Sequence, residues 1–394
     1  MKVLGVNVSE KPSVALVEGT RVKLAVQSEV PRGVSWIREL SDYEVVVSTD
    51  KSVKSLAKLK RFELVDYREA LATAAIATRN WDSCAVLALD SYYTSLGYYS
   101  GKQFSWLKDF EYPNSLSLFY SAATRLLGFD SITEDNRVRA LALRGNPVYS
   151  DWINTNIVQK TDSGYHIIPN LEYGVGVTAS SPDIAASVQA SYTSIVLHLV
   201  DWLAKQTNLR NLVVVGRGAA NYLTNSALFS SSFTDIAFSP MSGAASVSVG
   251  AACLLTGATW KNFCIGPNNP TPLDTETFSK LLLRQTVVEN NQGPADFADY
   301  SYLNRAVLKI PTKEHLATLN DDSVFLCRDI DYNKYFSGSS VQTANSLVDC
   351  LVPWLPKKVK VVTVNPSLNP YLSRVLDVLK EEQQPILISE HNEI

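Results

Sequence analysis

The chain has 394 residues, 46% hydrophobic and 19% charged, which excludes a disordered or solvating polymer and supplies apolar surface for two or three domains. Lysine and arginine number 36 against 39 acidic residues, a formal charge of -3, so the chain is not a globally basic nucleic-acid binder. Four histidines, His166, His198, His315 and His391, are too few and too scattered for a histidine-rich metal centre. The five cysteines form no CxxC pair, which argues against a disulfide framework and fits a reducing cytoplasm. The opening MKVLGVNVSE lacks the apolar length of a secretory signal, and no stretch approaches the ~18 uninterrupted apolar residues of a membrane span. A soluble cytoplasmic protein without membrane partners is the expectation.

In chain order, VLGVNV, SVALVEG and RVKLAVQSE read as three strands, with a turn at EGT. KSVKSLAKLKR predicts a helix whose Lys51, Lys54, Lys58, Lys60 and Arg61 form a solvated face or a polyanion contact. A helix over REALATAAIATRN follows, and CAVLALD is a buried strand ending at Asp90. The aromatic stretch beyond it, with Tyr92, Tyr93, Tyr98, Tyr99 and Trp106, reads equally as a substrate- or partner-facing surface and as core packing. SLSLFYSAATRLLGF has helical apolar spacing and stops at Gly128, and the longest predicted helix runs from Asp183 to Gln206, with His198 read as core. NLVVVGRGAAN is a strand ending in a glycine turn that starts a helix, and FTDIAFSPMSGAASVSVGAACLLTG repeats the theme. The proline-bearing WKNFCIGPNNPTPLD is the best linker, placing a boundary at 268/269, with VKVVTV and PILIS as strands beyond it. Hairpins followed by helices in two halves predict an α/β fold with mixed sheets.

Read in this order, the segments resemble the O-carbamoyltransferase family of nodulation-factor and antibiotic biosynthesis. LGVNVSEKPSVALVEG stands where the family has its opening hairpin, PNSLSLFYSAATRLLGF matches closely, and RVRALALRGNPVY resembles the segment that follows it. NLVVVGRGAAN and SPMSGAASVSVGAA look like its two glycine-rich nucleotide segments, while YLNRAVLKIP, VKVVTVNPSLNP and PILISEHN resemble signatures of its second domain. The resemblance implies an α/β architecture: an ASKHA-type (actin/sugar-kinase-like, Kae1-like) two-lobed domain over 1–268 and a YrdC-like domain over 269–394. It also implies transfer of a carbamoyl group from carbamoyl phosphate to a hydroxyl through an ATP-derived carbamoyl-adenylate, with ATP and a divalent metal as the cofactors of an active site.

Family members hold the metal with a His-His-x-x-His helix and a later Asp. Here the matching helix has Glu69, Ala70 and Thr73, the later Asp is Ala244, and SEKPS replaces the opening His-Asp pair. Thr and Ala cannot replace imidazole, so no metal site is predicted. Asp90 is the remaining metal-side carboxylate, either a site residue or a strand-end group capping a turn. Gly216, Gly218, Asn221 and Gly243 are vestigial nucleotide-binding positions, and Arg217 either pairs with phosphate or fills the cleft. Asn304, Arg305 and Lys360 are the candidate carbamoyl-phosphate contacts, Lys360 lacking the fork of the expected arginine. Ile388 replaces an expected polar amide.

The sequence-level expectation is a carbamoyltransferase-family subunit that is not catalytic on its own. It would partner an active paralogue that carbamoylates a hydroxyl-bearing acceptor, a small molecule or a hydroxymethylated base in DNA. Two alternatives stay open on sequence: an active divergent O-carbamoyltransferase using Asp90, Arg217 and Arg305, and a non-enzymatic binding or structural protein on the same scaffold. No P-loop, GxSxG elbow or HExxH motif offers competing chemistry.

Overall fold

The computed structural model describes residues 1–9, 11–27, 42–55, 60–79, 81–130, 134–168, 180–260, 263–269, 273–284, 288–290, 293–297, 304, 306–311, 324–331, 352–353, 360–364, 366, 369–379 and 386–390. They pack as two units, Met1–Asn80 with Ser239–Ile394, and Trp81–Phe238.

In the first unit β1 (Lys2–Asn7), β2 (Ser13–Glu18) and β3 (Arg21–Gln27) make an antiparallel meander. Parallel strands β4 (Val45–Ser48) and β5 (Arg61–Leu64) extend it beyond β1, giving the order β3-β2-β1-β4-β5. β1 is central and buried on both faces, which is why its apolar run is nearly continuous instead of alternating. Leu4, Val6, Val14, Val46 and Val53 share a core. Helix α1 (Tyr67–Ile76) starts at Asp66, whose carboxylate accepts the Arg68 N–H at 2.8 Å and the Glu69 N–H at 3.1 Å.

The second unit repeats the plan. β6 (Ser83–Leu89), β7 (Tyr93–Ser100) and β8 (Gln103–Glu111) form the meander. After α2 (Leu116–Leu126), α3 (Asp135–Ala142), α4 (Ser150–Asn156), the hairpin β9 (Val158–Thr161) and β10 (Gly164–Ile167), and α5 (Ser181–Thr207), strand β11 (Asn211–Val215) joins β6 in parallel. A 3-10 turn (Arg217–Ala220) and α6 (Tyr222–Leu228) lead to β12 (Asp235–Phe238), closing the order β12-β11-β6-β7-β8. An antiparallel meander extended by two parallel strands, present twice, is the ASKHA architecture that the sequence led us to expect. α5 is the spine of this unit: Tyr192, Ile195, Leu199 and Leu203 pack with Leu87, Leu89, Leu212 and Val214. Its N-cap is Ser180, and Asn208 ends it in the left-handed region at φ 52°. The aromatic stretch is the β7–β8 hairpin at the sheet edge, where half-buried Tyr99, Phe104 and Trp106 follow one another at centroid spacings of 5.0 and 6.0 Å.

The chain returns to the first unit with α7 (Ser246–Thr256), which packs on β1, β2 and α1. The approach is backbone to backbone. A Cβ on Gly5 would stand 1.9 Å from the Ser248 carbonyl oxygen, and one on Gly250 1.7 Å from that of Ala70. β13 (Cys264–Asn269) then pairs with β15 (Gly293–Asp296), so residue 268 lies inside a strand. The remaining described elements are α8 (Thr275–Arg284), α9 (Pro370–Val378) and a sheet of order β14-β16-β20-β17-β19-β18. Its strands are β14 (Val288–Glu289), β16 (Val307–Lys309), β17 (Val324–Arg328), β18 (Val352–Pro353), β19 (Lys360–Val364) and β20 (Ile386–Glu390), and the last two are the predicted VKVVTV and PILIS.

One predicted element is corrected. The lysine-rich α-helix over 51–61 is a 3-10 turn at Lys51–Ser55, and Lys58 lies outside the described residues. The Asp50 carboxylate accepts the Ser52 N–H at 2.7 Å and tightens that turn, while pairing with Val45 draws Arg61 into β5. Lys60 sits 5.5 Å from the Tyr43 ring centroid, and Arg61 pairs with Glu63 at 2.6 Å. Among the described residues no helix is long and apolar enough to cross a membrane, and Cys84, Cys253, Cys264 and Cys327 are buried and form no disulfide.

Candidate functional site

Parallel strands β6 and β11 end side by side in the second unit, and several of the predicted residues meet there. Asp90 follows β6 and is 6% exposed; its N–H donates to the Tyr93 carbonyl at 3.0 Å, and its carbonyl accepts the Ser115 hydroxyl at 2.9 Å. Gly216 ends β11 at φ 87°, and a Cβ there would lie 2.5 Å from the Leu89 oxygen and 2.9 Å from the Asp90 nitrogen. Only glycine permits both the backbone angle and the approach. At Gly218 a Cβ would meet the Tyr192 hydroxyl at 2.5 Å. Asp90, Gly216 and Gly218 thus form one constellation at the carboxyl ends of parallel strands, where α/β sheets bind ligands.

A cleft of about 320 Å³, its open mouth included, lies beside these glycines. Asp135 and Arg139, one turn apart on α3, line it together with Arg217, Tyr120 and Tyr192. Arg139 Nη1 donates to Asp135 Oδ2 at 2.9 Å from a side chain only 3% exposed, and Arg217 Nη2 stands 3.8 Å from Asp135 Oδ1. Burial pushes the Asp135 carboxyl up, but Arg139 and then Arg217 outweigh it and hold it below the usual aspartate range. Behind the charges lies a neutral network. Tyr120 donates to Gln189 Oε1 at 2.9 Å, and so does Asn221 Nδ2 at 3.0 Å, while Gln189 Nε2 donates to Thr224 Oγ1 at 3.0 Å. Asn221 also caps α6, accepting the Thr224 N–H at 3.2 Å. It holds the turn in place from inside the fold.

Sequence reading did not single out Asp135, Arg139 or Tyr192. The i,i+4 spacing of Asp135 and Arg139 was a readable pairing signal; the burial of Arg139 was not.

The other predicted positions lie in the first unit. Gly243 sits between β12 and α7 in a turn where a Cβ would meet nothing within 4 Å, so local space does not demand glycine there. On α1, Ala70 is fully buried under α7, Thr73 Oγ1 is buried without a hydrogen-bond partner, and Glu69 is half-buried with its carboxyl raised by burial and by Asp66, against Arg68. One carboxylate, one hydroxyl and a methyl do not make a transition-metal site. Among the described residues no three His, Cys, Asp or Glu side chains could hold a metal ion.

Asn304 is buried, donating its N–H to Asp296 Oδ1 at 3.0 Å and accepting Asn369 Nδ2 at 3.2 Å. Arg305 lies outside the described residues, Lys360 opens β19, and Ile388 is core in β20, opposite Leu308 and Val324. Of the histidines, His166 is exposed, and His198 is half-buried with Nε2 2.7 Å from the Thr161 carbonyl oxygen. His315 and His391 lie outside the described residues.

The fold is that of an ASKHA-type α/β protein, with a charged cleft beside its second sheet. Residues 72–253 match the carbamoyltransferase N-terminus family. The chain is similar to the uncharacterized protein sll1178 of Synechocystis sp., 27% identical over 338 residues, 74% of this chain and 54% of that protein. It is also similar to nodulation protein NolO of Bradyrhizobium diazoefficiens, 27% identical over 212 residues, 49% of this chain and 38% of NolO. The chain therefore spans about half the length of the first relative and less of the second. Among solved structures it is similar to T. kodakarensis HypF, with a TM-score of 0.44 and 13% identity over 65% of this chain and 47% of HypF. Component A of (R)-2-hydroxyglutaryl-CoA dehydratase from Acidaminococcus fermentans aligns with a TM-score of 0.43 and 15% identity, over 65% of this chain and 97% of that one.

Proposed function

We propose that this chain is a carbamoyltransferase-family subunit without carbamoyl-transfer chemistry of its own, which assembles with an active relative that carbamoylates a hydroxyl-bearing acceptor. The observation that carries the reading is α1. Where the resemblance calls for three imidazoles it presents Glu69, Ala70 and Thr73, and the Ala70 carbonyl touches Gly250 of α7 so closely that the helix has no slack to rebuild a ligand set. Without a metal to neutralise phosphate charge, adenylate formation loses its main electrostatic support. The small-residue packing of the first unit supports a chain that kept its scaffold while its ligands were replaced.

The test is transfer of radiolabelled carbamoyl phosphate, with ATP and Mg²⁺, to a hydroxyl acceptor, using this chain alone, a relative that retains His-His-x-x-His, and the two together. No product with this chain alone, and a stable complex whose rate or lifetime exceeds that of the relative by itself, is the expected result. Product formed by this chain alone would overturn the proposal in favour of an active divergent enzyme. A complex indifferent to its omission would overturn it in favour of a purely structural role.

A further inference from the structure

We propose that the β9–β10 hairpin is a strap that positions the turn carrying Asp90, and that it acts through the Tyr165 hydroxyl. The inference rests on the second unit alone and holds whether or not the chain transfers carbamoyl groups.

The Asp90 turn depends on the start of α2. Its own closing bond runs from the Asp90 N–H to the Tyr93 carbonyl at 3.0 Å. The start of α2 grips the same turn. The Ser115 hydroxyl donates to the Asp90 carbonyl at 2.9 Å, the Ser117 hydroxyl to the Leu89 carbonyl at 3.2 Å, and the Leu116 N–H to Thr94 Oγ1 at 3.0 Å. Ser115 is the N-cap residue of α2, yet its hydroxyl caps no N–H of the helix. A serine there ordinarily stabilises its own helix. Here it is turned onto Asp90, and Thr94 satisfies the first helical N–H instead. The start of α2 and the Asp90 turn therefore hold one another.

Tyr165, on β10, holds both. Its hydroxyl donates to the Asn114 carbonyl at 2.6 Å, one residue before Ser115. The Asn114 N–H donates to the Glu111 carbonyl at 2.7 Å, so this segment is tied to the end of β8 on one side and to Tyr165 on the other. Tyr165 is 4% exposed and its ring stacks on Phe110 at a centroid distance of 4.4 Å. Burial raises its pKa well above the ordinary value, so the hydroxyl keeps its proton and donates at neutral pH. Next to it, a Cβ on Gly164 would stand 2.3 Å from Phe110 Cζ, so the hairpin backbone lies directly on that ring.

The hairpin is in turn tied on by side chains. It is a two-stranded sheet that adds no strand to the five-stranded one, and two strands alone are marginal in water. Lys108 of β8 donates to the Ser163 carbonyl at 2.7 Å and to the Ser163 hydroxyl, with its Nζ 5.3 Å from the Trp202 ring centroid. Lys160 donates to Ser194 Oγ at 2.7 Å, and His198 Nε2 lies 2.7 Å from the Thr161 carbonyl oxygen. These ties anchor the hairpin to β8 and α5. Tyr165 passes the anchorage on to Asn114, Ser115 and Asp90, a line of contacts from outside the glycine turns to the carboxylate beside them.

The experiment is amide hydrogen exchange on the full chain, resolved to single residues, for Tyr165→Phe, Ser115→Ala and the double variant. Tyr165→Phe keeps the buried ring and removes one oxygen. It should speed exchange of the Asp90 and Leu116 amides about tenfold, the worth of one buried hydrogen bond, while α6, which opens on its own, keeps the parent rate. Ser115→Ala should speed the Asp90 amide to a similar degree and leave the hairpin amides over Val158–Ile167 as they were. Contacts in series are broken only once, so the double variant should match Ser115→Ala at Asp90 to within about twofold. Lys108→Met frees the hairpin and leaves Tyr165 in place; it should also speed the Asp90 amide, and it keeps the test open if Tyr165→Phe misfolds. Asp90 exchange unchanged in Tyr165→Phe, acceleration reaching α6 to the same degree, or single effects that multiply in the double variant would each overturn the strap.

Discussion

The two five-stranded sheets share one strand order and differ in how their helices meet them. In the first unit α7 comes so close that Gly5 and Gly250 have no room for a Cβ, and the helices there present alanine, serine and valine. In the second, Tyr120 and Tyr192 cross edge to face at 5.1 Å between α2 and α5, and a charged cluster and a hydrogen-bonded network fit around them. Strand order therefore does not decide what a lobe can do chemically. The distance at which the covering helices sit decides it, and side-chain volume sets that distance.

Four substitutions and one pH series would break or sharpen this contrast. The largest effect is expected from Asp135→Ala, which removes the carboxylate paired with the buried Arg139 guanidinium and should cost about 3–5 kcal/mol in urea denaturation. An unchanged midpoint would mean that the charged cluster does not support its unit. The same carboxylate sets an acid limit. Its pKa in the fold lies below its ordinary value of 3.8, so its contribution is complete above that value and is lost as pH falls through the folded one. Melting temperature should therefore drop on acidification below about pH 4, with a shallower slope in Asp135→Asn.

Next, Gly250→Ala drives a Cβ against the Ala70 carbonyl and should destabilise by about 1–3 kcal/mol, despite a gain of about 1 kcal/mol in helix propensity. Asn221→Ala removes both a helix cap and a buried donor to Gln189, for an expected loss of about 1–2 kcal/mol by the same denaturation assay. The smallest effect belongs to Gly243→Ala, where a Cβ finds open space. Its melting curve should match the parent's or gain up to about 1 kcal/mol from a stiffer unfolded chain. A large loss there would show that the turn before α7 matters more than its packing indicates.

How far the sequence could be read depended on whether a residue's neighbours lie nearby in the chain. The buried strands β1, β6 and β11 follow from their apolar runs, and α5 differs from the predicted Asp183–Gln206 only at its ends. The glycine turn after β11 was legible, because a strand followed by GRG has few other uses. The lysine segment misled, because helical spacing of charges says nothing about the Asx turn at Asp50 or the strand pairing that takes Arg61. Tyr192 was hidden among the apolar residues of α5, 26 positions from Gly218, and nothing in the sequence places its hydroxyl beside that glycine. Asn221 looked like a nucleotide contact and is engaged as a helix cap, an assignment that required knowing where α6 begins.

What the sequence determined by itself is chemical content. α1 carries no imidazole, and the glycines and alanines that allow β1, α1 and α7 to close on one another are present in the chain. No packing arrangement can supply a ligand atom that the residues lack. The tertiary structure alone decided which charges are buried, which are paired and which face solvent. Arg139 and Arg217 are the same residue type and share Asp135, yet the Arg139 side chain is 3% exposed and that of Arg217 23%. Desolvation and Coulomb energy depend on three-dimensional neighbours, and those neighbours come from α3, α5 and the turn after β11, segments far apart in the chain.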